Sequence, residues 1–195
     1  MSYFAKSKDD ILEIRWHGRG GQGVVSSAQI LAEAAFYEGF KGVTAAPSFG
    51  AERRGAPITA STRLSPKPVR VFSQIENPDI VIVLDETLLT SEDATAGLKS
   101  GGWLVVNTPK KPSQIRIGDS FSIATADANG VAKEVTLVVS GSALVNTAML
   151  GAFVRATGII SLESIREVIA ERFSPAEAQK NFEAARLTYE RVVLG

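Results

Sequence analysis

The stretch His17-Gly18-Arg19-Gly20-Gly21-Gln22-Gly23-Val24-Val25-Ser26-Ser27 concentrates the residues best able to hold an anion. Four glycines in six residues stand between an apolar run and a helical pattern. Backbone N–H groups in such a turn, opening a helix, are suited to grip a phosphate or carboxylate. Three roles fit. In the first, Gly18, Gly20 and Gly23 form the G-x-G-x-x-G of a dinucleotide site. That site wants an acidic residue closing the second strand, but the strand ends Thr44-Ala45-Ala46-Pro47. Glu38 still belongs to the helix, Glu52 lies well into the next loop, and no Lys-Ser or Lys-Thr follows Gly23 to make a Walker loop. In the second role, the glycines only let a tight strand-to-helix turn pass close to another backbone. In the third, Gly20, Gly21, Gln22 and Gly23 present donors to an anionic group held mostly by a neighbouring subunit, with Arg19 adding charge.

A second loop, PSFGAERRGAP, supports the third role. Arg53 and Arg54, beside Glu52 and between two glycines, suit a planar clamp on a carboxylate or phosphate. The alternative is an internal Glu–Arg pair with one solvated guanidinium. Other candidates are bland by comparison. His17, closing the first strand, reads as a packed, hydrogen-bonded residue rather than an acid–base catalyst. Asp85-Glu86 resembles a carboxylate pair but suits the negative charge that a helix start favours. The amide of Asn146 has two open uses, a ligand or a buried backbone group. Trp16, Phe49, Phe72 and Trp103 show no spacing for base stacking.

These residues must be carried by a framework, which the apolar pattern outlines. Residues 11–17 read as a strand, and 24–38 as a helix with Val25, Ala28, Leu31, Ala32, Ala35 and Phe36 on one face. Residues 41–46 and 58–64 read as strands, with 69–73 as the return arm of a hairpin after Ser65-Pro66-Lys67-Pro68. The unbroken run IVIVL at 80–84 predicts a strand covered on both faces. A helix over 87–99, a strand at 103–106 and an edge strand within 115–125 follow. The last third turns helical: 143–156, 161–173, and a third helix opened by Ser174-Pro175-Ala176-Glu177. The expectation is an α/β, three-layer Rossmann-like sandwich with a mixed, mostly parallel sheet. The 195 residues would form one domain with a helical portion from about 143 to 195. In a doubly wound sheet, loops leaving the carboxyl ends of strands gather on one edge, so the two loops should face one crevice.

Composition removes whole classes of chemistry. The chain has no cysteine and a single histidine. It therefore carries no disulfide, thiolate nucleophile or Cys-ligated zinc or iron–sulfur cluster, and an imidazole-built metal site is not expected. Lys plus Arg equals Asp plus Glu at 21 each, which gives no electrostatic argument for nucleic acid or an anionic membrane. No apolar window approaches a membrane span, and the first residues lack an apolar signal region. The expected compartment is the cytoplasm.

Four segments in order, HGRGGQGVVSSAQILAEAAFYEG, SFGAERRGAPITASTRLS, NPDIVIVLDETLL and VNTAMLGAFVRATGIISLESI, resemble the gamma subunit of 2-oxoacid:ferredoxin oxidoreductases. The resemblance runs over about residues 11–173, and ERRGAP resembles the pyruvate and branched-chain (2-oxoisovalerate) branch. It implies a heterotetrameric enzyme of anaerobic metabolism, such as a pyruvate synthase. The enzyme oxidatively decarboxylates a 2-oxoacid with coenzyme A and ferredoxin, making acyl-CoA and CO2 reversibly. It implies that thiamine diphosphate and magnesium lie in the alpha and beta subunits and iron–sulfur clusters in the delta and beta subunits. The residues agree: no cysteine is present, and Gly118-Asp119 is followed by serine rather than completing a Gly-Asp-Gly segment. The glycine turn and Arg53/Arg54 are then expected at a subunit interface and on the path of coenzyme A. A free-standing dinucleotide-binding oxidoreductase and a non-catalytic scaffold subunit are the alternatives.

Overall fold

The computed structural model describes residues 11–47, 54–71, 73–91, 93–118, 120–139 and 141–195. The chain runs through β1 (Leu12–Arg19), α1 (Val24–Tyr37), β2 (Gly42–Pro47), β3 (Pro57–Ser65), β4 (Ile80–Val83), α2 (Leu88–Ser91), β5 (Trp103–Asn107) and β6 (Ser122–Ala126). It continues through α3 (Ala128–Glu134), β7 (Val138–Val139), β8 (Ser142–Ala143), α4 (Asn146–Thr157), α5 (Leu162–Arg172), α6 (Pro175–Arg191) and β9 (Val193–Leu194). The main sheet has the order β2-β3-β1-β4-β5-β6-β9, with β7 and β8 as a separate small hairpin. β1, β4, β5 and β6 pair in parallel, while β3 and β9 run against their neighbours. This is the expected mixed, mostly parallel α/β sandwich.

Alternation divides the apolar strands between two cores. Ile80 and Ile82 of β4 join Ile14 and Trp16 of β1 beneath α1, α4 and α5. Val81 and Val83 face the other way, with Leu104, Val106, Leu88 and Ala94. All four β4 residues are therefore buried, as the IVIV run predicts. α4 is buried nearly all round because it packs against α6 on one side and α1 on another. Its ends and those of its neighbours are set by caps. Ser161 Oγ accepts from Ser164 N at the start of α5, and Ser174 and Glu177 form a capping box with Pro175 at the first position of α6. The Glu38 carboxylate, just past α1, accepts from Ser161 N and from the Ser164 hydroxyl, tying α1 to α5.

Four sequence expectations need correction. The hairpin partner of β3 is β2, with Gly42 opposite Ser65 and Pro47 opposite Ala60. β1 takes the other edge of β3, so 69–73 has no edge left to join. The carbonyls of Val71 and Ser73 instead accept from the buried guanidinium of Arg63. Among the described residues of 87–99 only the single turn α2 is helical, and the carbonyls of Ala94 and Ala96 go to Arg15. The strand within 115–125 is Ser122–Ala126, and β9 covers its outer edge. The helix expected from 143 starts at Asn146, because Ser142 and Ala143 belong to β8. Among the described residues, no helix is long and apolar enough to cross a membrane.

Candidate functional site

β1 ends where its two partners part, and the glycine turn crosses that gap. Gly21 and Gly23 both adopt positive φ, +93° and +76°, which glycine alone takes without strain. Gly23 is the N-cap of α1, which has no side-chain cap and no acidic residue in its first turn. A Cβ on Gly23 would stand 2.9 Å from the Asn146 side chain at the start of α4. Close approach of two helix starts thus demands glycine here. Asn146 lies beneath the turn, and among the described residues its buried Oδ1 has no hydrogen-bond partner. Its carbonyl accepts from Ser27 Oγ, a second link between α1 and α4.

The arginine loop lies against this turn. Gly20 N donates to Ala56 O at 2.9 Å, Gly55 N donates to Gly20 O at 3.0 Å, and Gly20 bridges Arg54. The two loops thus do face one crevice, through Arg54; Phe49, Glu52 and Arg53 lie outside the described residues. Arg54 is exposed, and among the described residues its guanidinium has no partner. Arg19 is differently placed. Its Nε donates to Asp85 Oδ2 at 3.1 Å, and its terminal nitrogens donate to Gly55 O and Thr87 Oγ1. Gln22 accepts from Arg19 N through Oε1 and reaches Asp85 Oδ2 through Nε2 at 3.4 Å. Burial raises the pKa of Asp85, but the hydroxyl and amide of Thr87 and the Arg19 guanidinium outweigh it and hold the carboxyl below its ordinary value. Arg19 and Gln22 therefore brace the turn, and among the described residues Arg54 is the cation of this crevice without a partner.

A cavity of about 500 Å3 opens here, lined by Arg19, Gly20, Gly21, Gln22, Arg54 and Gly55 on one side. Asn129, Val139 and Ser142 to Leu144 form the opposite wall. Those wall residues carry no motif; α3 supplies Asn129, and β7, β8 and the residues that follow supply the rest. A second cavity of about 460 Å3 lies beyond the ends of β5 and β6. Its Arg191 pairs with Glu134 at 2.6 Å and its Lys110 with Glu86 at 3.4 Å, so much of its charge is neutralised internally.

His17 is buried, and its Nε2 accepts from Arg15 Nε at 3.0 Å. Burial, then the Arg15 charge, pushes its pKa down to about 4, so the ring stays neutral and holds Arg15. It is a packed residue whose accepting nitrogen is already engaged. Trp16 is likewise core, its Nε1 donating to Thr62 Oγ1. With no cysteine and this single committed imidazole, the donor set does not fit an iron–sulfur cluster or a histidine-bound metal.

The fold and site together define an α/β subunit whose crevice is built from glycine amides and arginine rather than from catalytic acids or metal ligands. The family model described as pyruvate ferredoxin/flavodoxin oxidoreductase matches residues 13–191. The pyruvate/ketoisovalerate oxidoreductases common subunit gamma of Thermococcus kodakarensis is 49% identical over 187 residues, covering 94% of this chain and 98% of that one. The crystal structure of pyruvate oxidoreductase subunit PORC from Thermotoga maritima superposes with a TM-score of 0.82 at 41% identity, covering 95% and 98% of the two chains. A 2-oxoglutarate:ferredoxin oxidoreductase from Magnetococcus marinus, solved with 2-oxoglutarate, coenzyme A and succinyl-CoA bound, shares the fold. Its TM-score is 0.71 at 23% identity, over 92% of this chain and 31% of that one. The chain belongs to the pyruvate ferredoxin/flavodoxin oxidoreductase family and is a gamma subunit of a 2-oxoacid:ferredoxin oxidoreductase.

Proposed function

We propose that this gamma subunit, acting as one 195-residue domain, helps form the subunit interface and the path of coenzyme A in a cytoplasmic complex that oxidises pyruvate or a branched-chain 2-oxoacid. The complex cleaves the bond between the carboxylate and the oxo carbon. CO2 leaves, two electrons pass to ferredoxin, and the acyl group ends on the thiol of coenzyme A. Alpha, beta and delta subunits supply thiamine diphosphate, magnesium and the iron–sulfur clusters, and the gamma chain alone does not turn over.

One observation carries the coenzyme A part of this reading: the Arg54 guanidinium, without a partner among the described residues, stands beside a glycine turn and lines a cavity of about 500 Å3. A guanidinium fork with backbone N–H donors matches phosphate oxygens. The opposite wall, with Val139, Ala143 and Leu144, offers apolar surface to a pantetheine-like arm. The T. kodakarensis relative is named as common to two oxidoreductases, which suits a chain that does not set the 2-oxoacid. Isothermal titration of the assembled complex with coenzyme A tests the reading. Arg53→Ala with Arg54→Ala should weaken affinity by about tenfold, the scale of one charge-assisted hydrogen bond. Unchanged affinity would end it.

A further inference from the structure

Arg54 is exposed and its guanidinium has no partner among the described residues, yet an anion site needs its cation held in place. The Asp85 carboxylate supplies a candidate anchor from outside that loop. Its Oδ1 accepts from Thr87 N at 3.1 Å and from Thr87 Oγ1 at 2.6 Å. Its Oδ2 faces the glycine turn, accepting from Arg19 Nε and Gln22 Nε2. Arg19 then passes the constraint onward, since another of its nitrogens donates to Gly55 O, next to Arg54. Three loops are thus joined through one half-buried ion pair: the β1–α1 turn, the β2–β3 loop and the β4–α2 turn. The neighbouring Gly20–Ala56 and Gly55–Gly20 backbone bonds fix the same contact in register.

We infer that Asp85 is a positioning residue for coenzyme A, acting through Arg19 and Gln22 to hold the Arg54 loop against the glycine turn. The inference rests on the coenzyme A reading above. Asp85 touches no ligand in this scheme; it fixes where the Arg54 guanidinium stands. Loss of the carboxylate leaves Arg19 held only through Gly55 and Thr87, loosens its grip on Gly55 and lets Arg54 sample positions away from the turn. The apparent affinity falls with the fraction of time the site is assembled.

The test uses the assembled complex carrying Asp85→Ala, Arg54→Ala or both, with steady-state kinetics in coenzyme A and amide hydrogen exchange. Asp85→Ala should raise KM for coenzyme A by about five- to tenfold, with a smaller effect on kcat, and should add nothing in the Arg54→Ala background. Amides at 19–23 and 54–56 should exchange about tenfold faster, while those of α6 stay unchanged. Penalties that add in the double variant, or exchange that stays at the wild-type rate, overturn the positioning role and leave the coenzyme A reading standing. An unchanged KM in Arg54→Ala overturns the coenzyme A reading and the positioning role with it. Should Asp85→Ala fail to assemble, Asp85→Asn keeps the shape, replaces the Oδ2 acceptor with a donor, and carries the same outcomes.

Discussion

Five helix starts of this molecule fall into two groups. α3 and α5 begin with Asp127 and Ser161, whose side chains each accept from an amide of the first turn, and α6 begins with Ser174, whose amide and hydroxyl donate to Glu177. α5 and α6 add Glu163 and Glu177 to that turn. α1 and α4 begin with Gly23 and Val145, no side-chain cap and no acidic residue in the first turn. The capped starts belong to the helical layer, where they stabilise the fold. The two uncapped starts meet at the Gly23–Asn146 contact behind the glycine turn. Neither first turn carries a carboxylate to set against the positive end of its helix dipole. The contrast teaches that side-chain capping is kept for the helical layer, while the helix starts behind the crevice are held by close packing instead.

Acid should separate the two regions most strongly. His17 sits at the turn end of β1, and its folded pKa of about 4 lies below the ordinary 6.5. The unfolded chain takes up the proton first. Stability is therefore full above pH 6.5 and is lost as pH falls from 6.5 to 4, by about 3 kcal/mol in all. Denaturant melts of the purified chain from pH 7.5 to 4 check this, and His17→Gln should remove that component. Glu177 is held below its ordinary value by the hydroxyl and then the amide of Ser174, so its capping carboxylate outlasts an ordinary glutamate as pH falls.

Gly23→Ala should rank next. The left-handed backbone and the 2.9 Å contact with Asn146 together cost about 2 kcal/mol, read as a lower melting temperature. Ser174→Ala should cost about 1 kcal/mol and leave coenzyme A affinity alone. Ser26→Asp is the smallest and sharpest. A carboxylate in the first turn of α1 should stabilise the purified chain by about 0.5 kcal/mol while weakening coenzyme A binding to the complex. A stabilised chain that binds coenzyme A as before would erase the distinction between open and capped starts.

Local pattern was enough to read the elements that define themselves. The IVIV run, the face of α1 and the Ser174–Glu177 box depend on residues within a few positions of one another. The pairing of β3 did not, because its partners were decided by which strand edges remained free across the sheet. The C-terminal β9 was also illegible, since two residues show no period; they join the sheet only through β6. α3, opened by Asp127, went unread for lack of a long apolar stripe. In the site, glycine spacing located the turn and arginine doubling located the loop. What spacing could not show was that Arg19 is engaged by Asp85, 66 positions away, leaving Arg54 as the cation without a partner among the described residues.

β1 has one further consequence, for the chain during its synthesis. Of the described strands it emerges before the others, yet its hydrogen-bonding edges are filled by β3 and β4, which end at Ser65 and Val83. At about 5–20 residues per second, a ribosome takes roughly 3 to 13 seconds to travel from the end of β1 to the end of β4. For that interval Leu12, Ile14 and Trp16 sit on an unpaired strand. The nascent polypeptide is then a natural client for holding chaperones.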